Sequence, residues 1–265
     1  MNSKRFDIDA RIEENIEIRP DIFLMRAYCP DIIKEARPGQ FCMLKSGLID
    51  SFDPLLRRPL SIHKTDRETG QLEFLYRIVG RGTKALSMQV KGQRVHILGP
   101  LGTGFKIREH EIPIMVGGGL GVAPLLFLAQ ELAGRKGVLI LGAVTKSQLL
   151  RLEPFKKTGL EILISTEDGS FGNRGLVTEV LDRLLVSLES DAKANVTVVA
   201  CGPMPMLRAV YHLCEAHKVG CQVSLETIMA CGSGLCLGCA VKAKNGYLHV
   251  CKDGPCFDAY MLSWD

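Results

Sequence analysis

The sequence has no apolar run long enough to cross a membrane. Its longest apolar stretches, around Ile112–Val116 and Pro124–Leu128, fall well short of the ~20 residues a spanning helix needs. The opening residues MNSKRFDIDARIEENIEIRP contain no apolar core of signal-peptide length, because acidic side chains interrupt them throughout. No block of lysine and arginine stands out either. The net charge is +4, spread along the chain, which is too mild for a phosphate-tracking surface but compatible with anionic small molecules. Internal repeats and low-complexity linkers are also missing. These absences predict a cytoplasmic globular protein with neither nucleic acid nor membrane as a partner.

Cysteine, by contrast, is plentiful. There are ten in 265 residues, and a reducing compartment disfavours disulfides, so clustered thiols point to metal or cluster ligation. Cys29, Cys42, Cys201, Cys214, Cys221 and Cys256 are mostly scattered and read as small buried hydrophobes.

The length suits two ordinary domains and a small third. Residues 1–106 carry short apolar runs (DIFLMRAYC, GQFCMLK, RRPLSIHKT, QLEFLYRIV, QRVHILGP) between proline and glycine turns. This texture predicts a small antiparallel barrel or sandwich, with one helix at GTKALSMQVKG ending at Gly92. Residues 107–223 alternate strand and helix patterns: IPIMVGG, GVLILGAVT, LEILISTED, NVTVVACGP and CQVSLE as strands, with APLLFLAQELAGRK, SQLLRLEPFKKTG, GLVTEVLDRLLVSLE and MPMLRAVYHLCEAHKVG as helices. Such alternation predicts a parallel sheet covered on both faces. Residues 224–265 form a cysteine- and glycine-rich segment.

Three motifs point to a dinucleotide. RRPLSI (Arg57–Ile62) precedes LYRIVGRGT (Leu75–Thr83). An arginine pairs bidentately with a pyrophosphate, and a serine a few residues along a strand reaches a flat ring beside it. Gly82 and Thr83 open a predicted helix, whose amides suit a phosphate. Each alone is also what an exposed arginine and an ordinary turn would look like. VGGGLGVAP (Val116–Pro124) has Val122 where the third glycine of G-x-G-x-x-G would fall, but fits G-x-G-x-x-P through Gly119, Gly121 and Pro124. ACGPMPML puts Cys201, Gly202 and Pro203 at a carboxyl strand end, where ligands of open α/β sheets bind. A plain strand–helix turn is the alternative. TEDGSFGNRG (Thr166–Gly175) closes a third strand and belongs to the same mouth.

The fourth motif is CGSGLCLGCAVKAKNGYLHVC, Cys231–Cys251. Its spacing is C-x4-C-x2-C-x11-C. Structural zinc usually shows two C-x-x-C knuckles, and here there is one. The first three cysteines match plant-type [2Fe–2S] spacing with a more distant fourth. The spacing favours a cluster over zinc or unligated thiols. Cys256 is a spare thiol and an alternative fourth ligand. His249 has no second histidine at Rieske spacing.

With LRRPLSI, LYRIVGRGT, LGPLGTGF, VGGGLGVAPLL, DGSFGNRGLVT, CGPMPML, VSLETIMACGSGLCLGCAV and VCKDGPCFDA in order, the chain resembles the ferredoxin–NADP reductase superfamily. Within it, the chain is most similar to the electron-transfer subunits of NAD-dependent (class B) dihydroorotate dehydrogenase. That resemblance spans essentially the whole chain. It implies a Greek-key antiparallel β-barrel binding FAD, an α/β parallel-sheet domain binding NAD, and a C-terminal [2Fe–2S] segment. By position it puts Arg58, Pro59, Leu60, Ser61, Leu75, Tyr76, Arg77, Gly82 and Thr83 on FAD. Gly119, Gly121, Cys201, Gly202 and Pro203 fall at the NAD mouth, and Cys231, Cys236, Cys239 and Cys251 hold the cluster. Leu60 stands where the wider superfamily has tyrosine.

The resemblance further implies an FMN-containing catalytic partner in a heterotetramer, acting in pyrimidine (UMP) synthesis, since no (β/α)8 barrel fits in this chain. Small subunits of NADH-dependent ferredoxin:NADP oxidoreductase and of sulfide dehydrogenase are similar too. A non-catalytic zinc- or cluster-binding regulatory module is a rival of another class. Coenzyme choice stays open at residue level. GAVTKS ends its strand without the acidic residue that marks NAD, and Lys146 suits a 2′-phosphate, whereas the resemblance points to NAD.

Overall fold

The structure is a computed structural model describing residues 4–45 and 53–264. It divides into two compact units. One comprises the chain up to Gly104 with Glu226–Val241 and Tyr247–Pro255; the other comprises Phe105–Leu225, Lys242–Gly246 and the residues from Cys256 on. The C-terminal 40 residues thus contribute to both.

The first unit is a closed six-stranded barrel: β1 (Phe6–Arg19), β2 (Ile22–Tyr28), β3 (Phe41–Leu44), β4 (Arg58–Asp66), β5 (Gln71–Arg77) and β6 (Arg94–Leu101), in the order β1-β2-β5-β4-β3-β6. This is a Greek-key antiparallel barrel. Closure removes free sheet edges. Strand alternation puts Ile12, Met25, Ile62, Phe74, Val95 and Ile97 inside, all buried. β1 obeys the same rule, with Ala10 and Ile12 buried while Asp9 and Arg11 face out. Two short helices interrupt the strands: α1 (Pro30–Glu35) and α2 (Arg81–Ser87). α2 is shorter than the sequence pattern predicts; the chain leaves the helix at Met88 and turns at Gly92, whose φ is +90°.

The second unit holds β7 (Ile112–Gly118), β8 (Val138–Ala143), β9 (Glu161–Thr166), β10 (Asn173–Arg174), β11 (Val196–Cys201) and β12 (Gly220–Ser224). Its helices are α3 (Leu125–Glu131), α4 (Leu152–Lys156), α5 (Val177–Ser187), α6 (Ser190–Lys193) and α7 (Met204–His217). Strands β7, β8 and β11 are continuous buried apolar runs, as strands covered on both faces must be. α5 and α7 pack against the sheet and each other, and α3 against α4. The helix predicted over residues 147–159 shrinks to α4, since Arg151 sits in the left-handed region at φ 57° and Pro154 follows.

The remaining strands lie in the cysteine-rich segment. β13 (Ala240–Ala243) and β14 (Gly246–His249) form a hairpin, while β15 (Cys256–Asp258) joins the parallel sheet antiparallel to β12. The full sheet order is β10-β9-β8-β7-β11-β12-β15. The chain proceeds outward from β7 through β8, β9 and β10, then returns to the other side of β7 as β11. The topological switch point therefore lies between β7 and β11.

Candidate cofactor and cluster sites

In the barrel unit, β4 and β5 pair from Ile62↔Phe74 to Asp66↔Gln71. No described pairing joins Arg58–Ser61 to Leu75–Arg77. The strands part there, leaving a slot whose walls are the two predicted motifs. Ser61 is half-buried on the strand face opposite Leu60 and Ile62. Leu75 shares the outer side with Ser61. Tyr76 is buried inside, with its hydroxyl donating to Asn15 Oδ1 at 3.0 Å, and burial drives its pKa upward. Arg77 is exposed.

Arg58 crosses from β4 to the first turn of α2. A Cβ on Gly82 would collide with the Arg58 guanidinium. Glycine at 82 is therefore a steric requirement for Arg58 to lie there. The guanidinium also donates through Nη1 to Leu56 O at 2.6 Å and Arg57 O at 3.3 Å; Nε and Nη2, which face Gly82, are the groups that would meet an anion at the α2 turn. Thr83 is buried, and its hydroxyl accepts from the amides of Val79 (2.9 Å) and Gly80 (3.3 Å). It shapes the loop entering α2. The slot, the arginine and the Cβ-free turn fit a flat ring carrying a pyrophosphate.

In the sheet unit, the VGGGLG and CGP loops close the two strands that flank the switch point. Cys201 pairs with Gly117 across β11 and β7. A Cβ on Gly121 would strike the Cys201 carbonyl and lie 2.6 Å from the Gly202 amide nitrogen. The two loops thus touch backbone to backbone. Gly119 has φ 55° and opens a 3-10 turn (Gly119–Val122) before α3. Pro203 precedes α7, whose first turn has no side-chain cap, so its amides remain available to an anion.

The cysteine loop belongs to the barrel unit. Gly232 (φ 68°) lies against Met43 and Leu101, and Thr103 holds Asp253 O and Gly254 O beyond the last cysteine. The sulfurs of Cys239 and Cys251 are 3.2 Å apart. The amides of Ser233 and Cys236 both point at Cys231 Sγ at 3.4 Å, and the Gly234 amide donates to Cys251 Sγ at 3.1 Å. Burial raises the Cys231 pKa, but those two amides more than reverse it, bringing the thiol down to about 5. Cys251 is pushed up to about 12 by burial and by the Cys239 thiol. Among the described residues, no three metal-ligating side chains converge on one point, as a single ion requires. The close Cys239–Cys251 sulfur pair and the amides turned toward Cys231 and Cys251 suit thiolates that hold an iron–sulfur cluster. Cys236 is exposed, between the exposed Leu235 and Leu237.

Cys256 is elsewhere. It is a β15 residue opposite Ser224 in the sheet unit, where burial, and then the neighbouring Cys201 thiol, hold its pKa far above the ordinary thiol value. His249 is engaged by Asp253, its amide at 2.7 Å and its ring at 3.5 Å.

The comparisons follow this layout. The model for the iron–sulfur cluster binding domain of dihydroorotate dehydrogenase B matches residues 226–263. The oxidoreductase NAD-binding domain matches residues 115–212. A dihydroorotate dehydrogenase B (NAD(+)) electron transfer subunit from Desulforamulus reducens is 38% identical over 97% of this chain and 98% of its own. This chain belongs to that family. The counterpart from Fusobacterium nucleatum is 38% identical over 94% and 95%. Among solved structures, one describing NADH-dependent reduced ferredoxin–NADP oxidoreductase superposes with TM-score 0.85 at 31% identity, covering 97% of this chain and 90% of that one. A ferredoxin NADP+ reductase from Neisseria gonorrhoeae, with TM-score 0.64 and 17% identity over 80% and 91%, shares the fold. The chain is thus an electron-transfer subunit of an oxidoreductase, not a regulatory module. Its family name calls for a partner subunit, and no described helix is long and apolar enough to cross a membrane.

Proposed function

We propose that this chain carries electrons from a catalytic dihydroorotate dehydrogenase subunit to NAD+, by way of a [2Fe–2S] cluster and FAD. The Cys239–Cys251 sulfur pair, with backbone amides aimed at the sulfurs of Cys231, Cys239 and Cys251 in one glycine-rich loop, carries this reading. Bound FAD exchanges a hydride with the nicotinamide and single electrons with the cluster, which no side chain can do.

The protein's part is to hold, orient and insulate. Arg58, Pro59, Leu60 and Ser61 on one wall and Leu75, Tyr76 and Arg77 on the other form the FAD slot, with Gly82 and Thr83 closing it. Tyr76 contributes backbone, because its ring and hydroxyl are occupied inside the barrel. Leu60, where the superfamily uses tyrosine, is buried on the strand face opposite Ser61 and contributes backbone to the slot. Gly119, Gly121, Cys201, Gly202 and Pro203 form the NAD mouth. Cys231, Cys236, Cys239 and Cys251 would hold the cluster, which supplies one-electron transfer when bound. Amides on thiolate ligands stabilise their negative charge.

The catalytic partner is an FMN protein. Two of each subunit form a heterotetramer in the cytoplasm, serving pyrimidine (UMP) synthesis. Residues 1–106, 107–223 and 224–265 serve FAD, NAD and the cluster respectively. Purification from the native cell tests this. A co-purifying FMN subunit that oxidises dihydroorotate supports it, and full dihydroorotate:NAD+ activity in the isolated chain refutes it.

A second reading rests on the 0.85 TM-score to the NADH-dependent reduced ferredoxin–NADP oxidoreductase structure. There the partner would be a larger iron–sulfur flavoprotein, and the same purification would find it instead.

A further inference from the structure

Strand β8 ends in Val144-Thr145-Lys146-Ser147, with no carboxylate where a dinucleotide fold places one for the ribose. The structure supplies an acid from the next strand. β8 and β9 run parallel in register through Ala143↔Thr166. Beyond the last pair, the Glu167 amide donates to Ala143 O and the Asp168 amide to Val144 O, both at 3.1 Å. Asp168 therefore stands beside the end of β8 although it lies on β9's loop.

Its carboxylate is fixed rather than loose. Asp168 Oδ1 accepts from the Ser170 hydroxyl at 2.6 Å and the Ser170 amide at 2.9 Å. The same Ser170 Oγ accepts from the Lys146 amide at 2.7 Å. Ser170 thereby ties the carboxylate to the β8 end. The group is exposed, and the Ser170 hydroxyl and amide hold its pKa below the usual carboxylate range, so it is charged at neutral pH. Two cations are close by. The Lys146 ammonium sits 5.1 Å from the Phe171 ring centroid, and the Arg174 stem covers Gly169.

We infer that Asp168 selects NAD over NADP: its carboxylate, delivered by β9 to the end of β8, accepts the adenosine ribose hydroxyls and repels a 2′-phosphate. Removing that one charge leaves Lys146 and Arg174 to attract the phosphate. The inference rests on the proposed nucleotide seat at the carboxyl ends of this sheet.

The test uses the full-length, FAD-loaded chain with ferricyanide as electron acceptor. NADH and NADPH oxidation are measured for wild type, Asp168→Asn, Asp168→Glu and Glu167→Gln, alongside binding of 2′,5′-ADP. Asp168→Asn keeps an oxygen for Ser170. It should lower the NADH:NADPH ratio of kcat/KM about tenfold or more and strengthen 2′,5′-ADP binding, with unchanged flavin and cluster spectra. Asp168→Glu should keep the preference, and Glu167→Gln should leave it as in wild type. An unchanged ratio in Asp168→Asn, or a shift in Glu167→Gln instead, overturns the assignment while the nucleotide seat stands. A wild-type chain that oxidises neither coenzyme overturns the seat itself, and the assignment with it.

Discussion

Cys239 and Cys251 bring their sulfurs within 3.2 Å of each other across a twelve-residue separation. Cys256, only five residues further on, is buried in a different unit beside Ser224. The proposed fourth ligand is accordingly Cys251 rather than Cys256. Cys251→Ser should abolish the cluster's visible absorption while leaving the flavin bands. Cys256→Ala should retain both, so absorption spectra of the two variants decide between the thiols.

Cys231 and Cys251, the first and last cysteines of the motif, differ in acidity. Cys231, lowered to about 5, is a thiolate at neutral pH, whereas Cys251, raised to about 12, is protonated. In the cluster-free chain, iodoacetamide should label Cys231 with a rate that is half-maximal near pH 5. It should leave Cys251 unlabelled below pH 9. Peptide mass mapping of the labelled sites measures both. Labelling of Cys231 that first rises near pH 9 would show that the amides do not act on it.

Arg58 and Gly82 form a second dependent pair, since the guanidinium fills the space a Cβ would take. Arg58→Ala should weaken FAD binding roughly tenfold or more, through loss of a charge-assisted contact. Gly82→Ala should give a similar loss by displacing Arg58. Flavin fluorescence during dialysis reads the release. Normal FAD retention in both variants would place the flavin elsewhere.

Gly121 meets the Cys201 carbonyl at the switch point of the sheet. Gly121→Ala overpacks backbone against backbone, at a cost of about 1–3 kcal/mol. Thermal unfolding should move down. NADH oxidation should fall further than in a Gly134→Ala control, which strains a left-handed glycine (φ 82°) but meets no neighbouring atom, so that loss of stability alone is matched.

The sheet was readable because β7, β8 and β11 are buried on both faces and so appear as unbroken apolar runs. The cysteine motif was readable because three of its four cysteines lie within nine residues. β1 escaped notice although Phe6, Ile8, Ala10 and Ile12 alternate cleanly, because its outward positions are charged and the stretch reads as polar. β15 has three residues and α1 six, too few to show a period. What no local pattern carries is contact over distance. The approach of Gly121 to Cys201 depends on strand order. The presence of Asp168 at the end of β8 depends on register between two strands. That Cys251 joins one unit and Cys256 the other depends on pairings made far along the chain.

The central claim is that nicotinamide, flavin and cluster form one electron path in this chain. Anaerobic addition of NADH to the full-length protein, followed by visible absorption, tests it most directly. The path predicts bleaching of both flavin and cluster bands in wild type, and of the flavin bands alone in Cys251→Ser. A wild-type protein whose cluster bands stay unchanged while its flavin bleaches would contradict it.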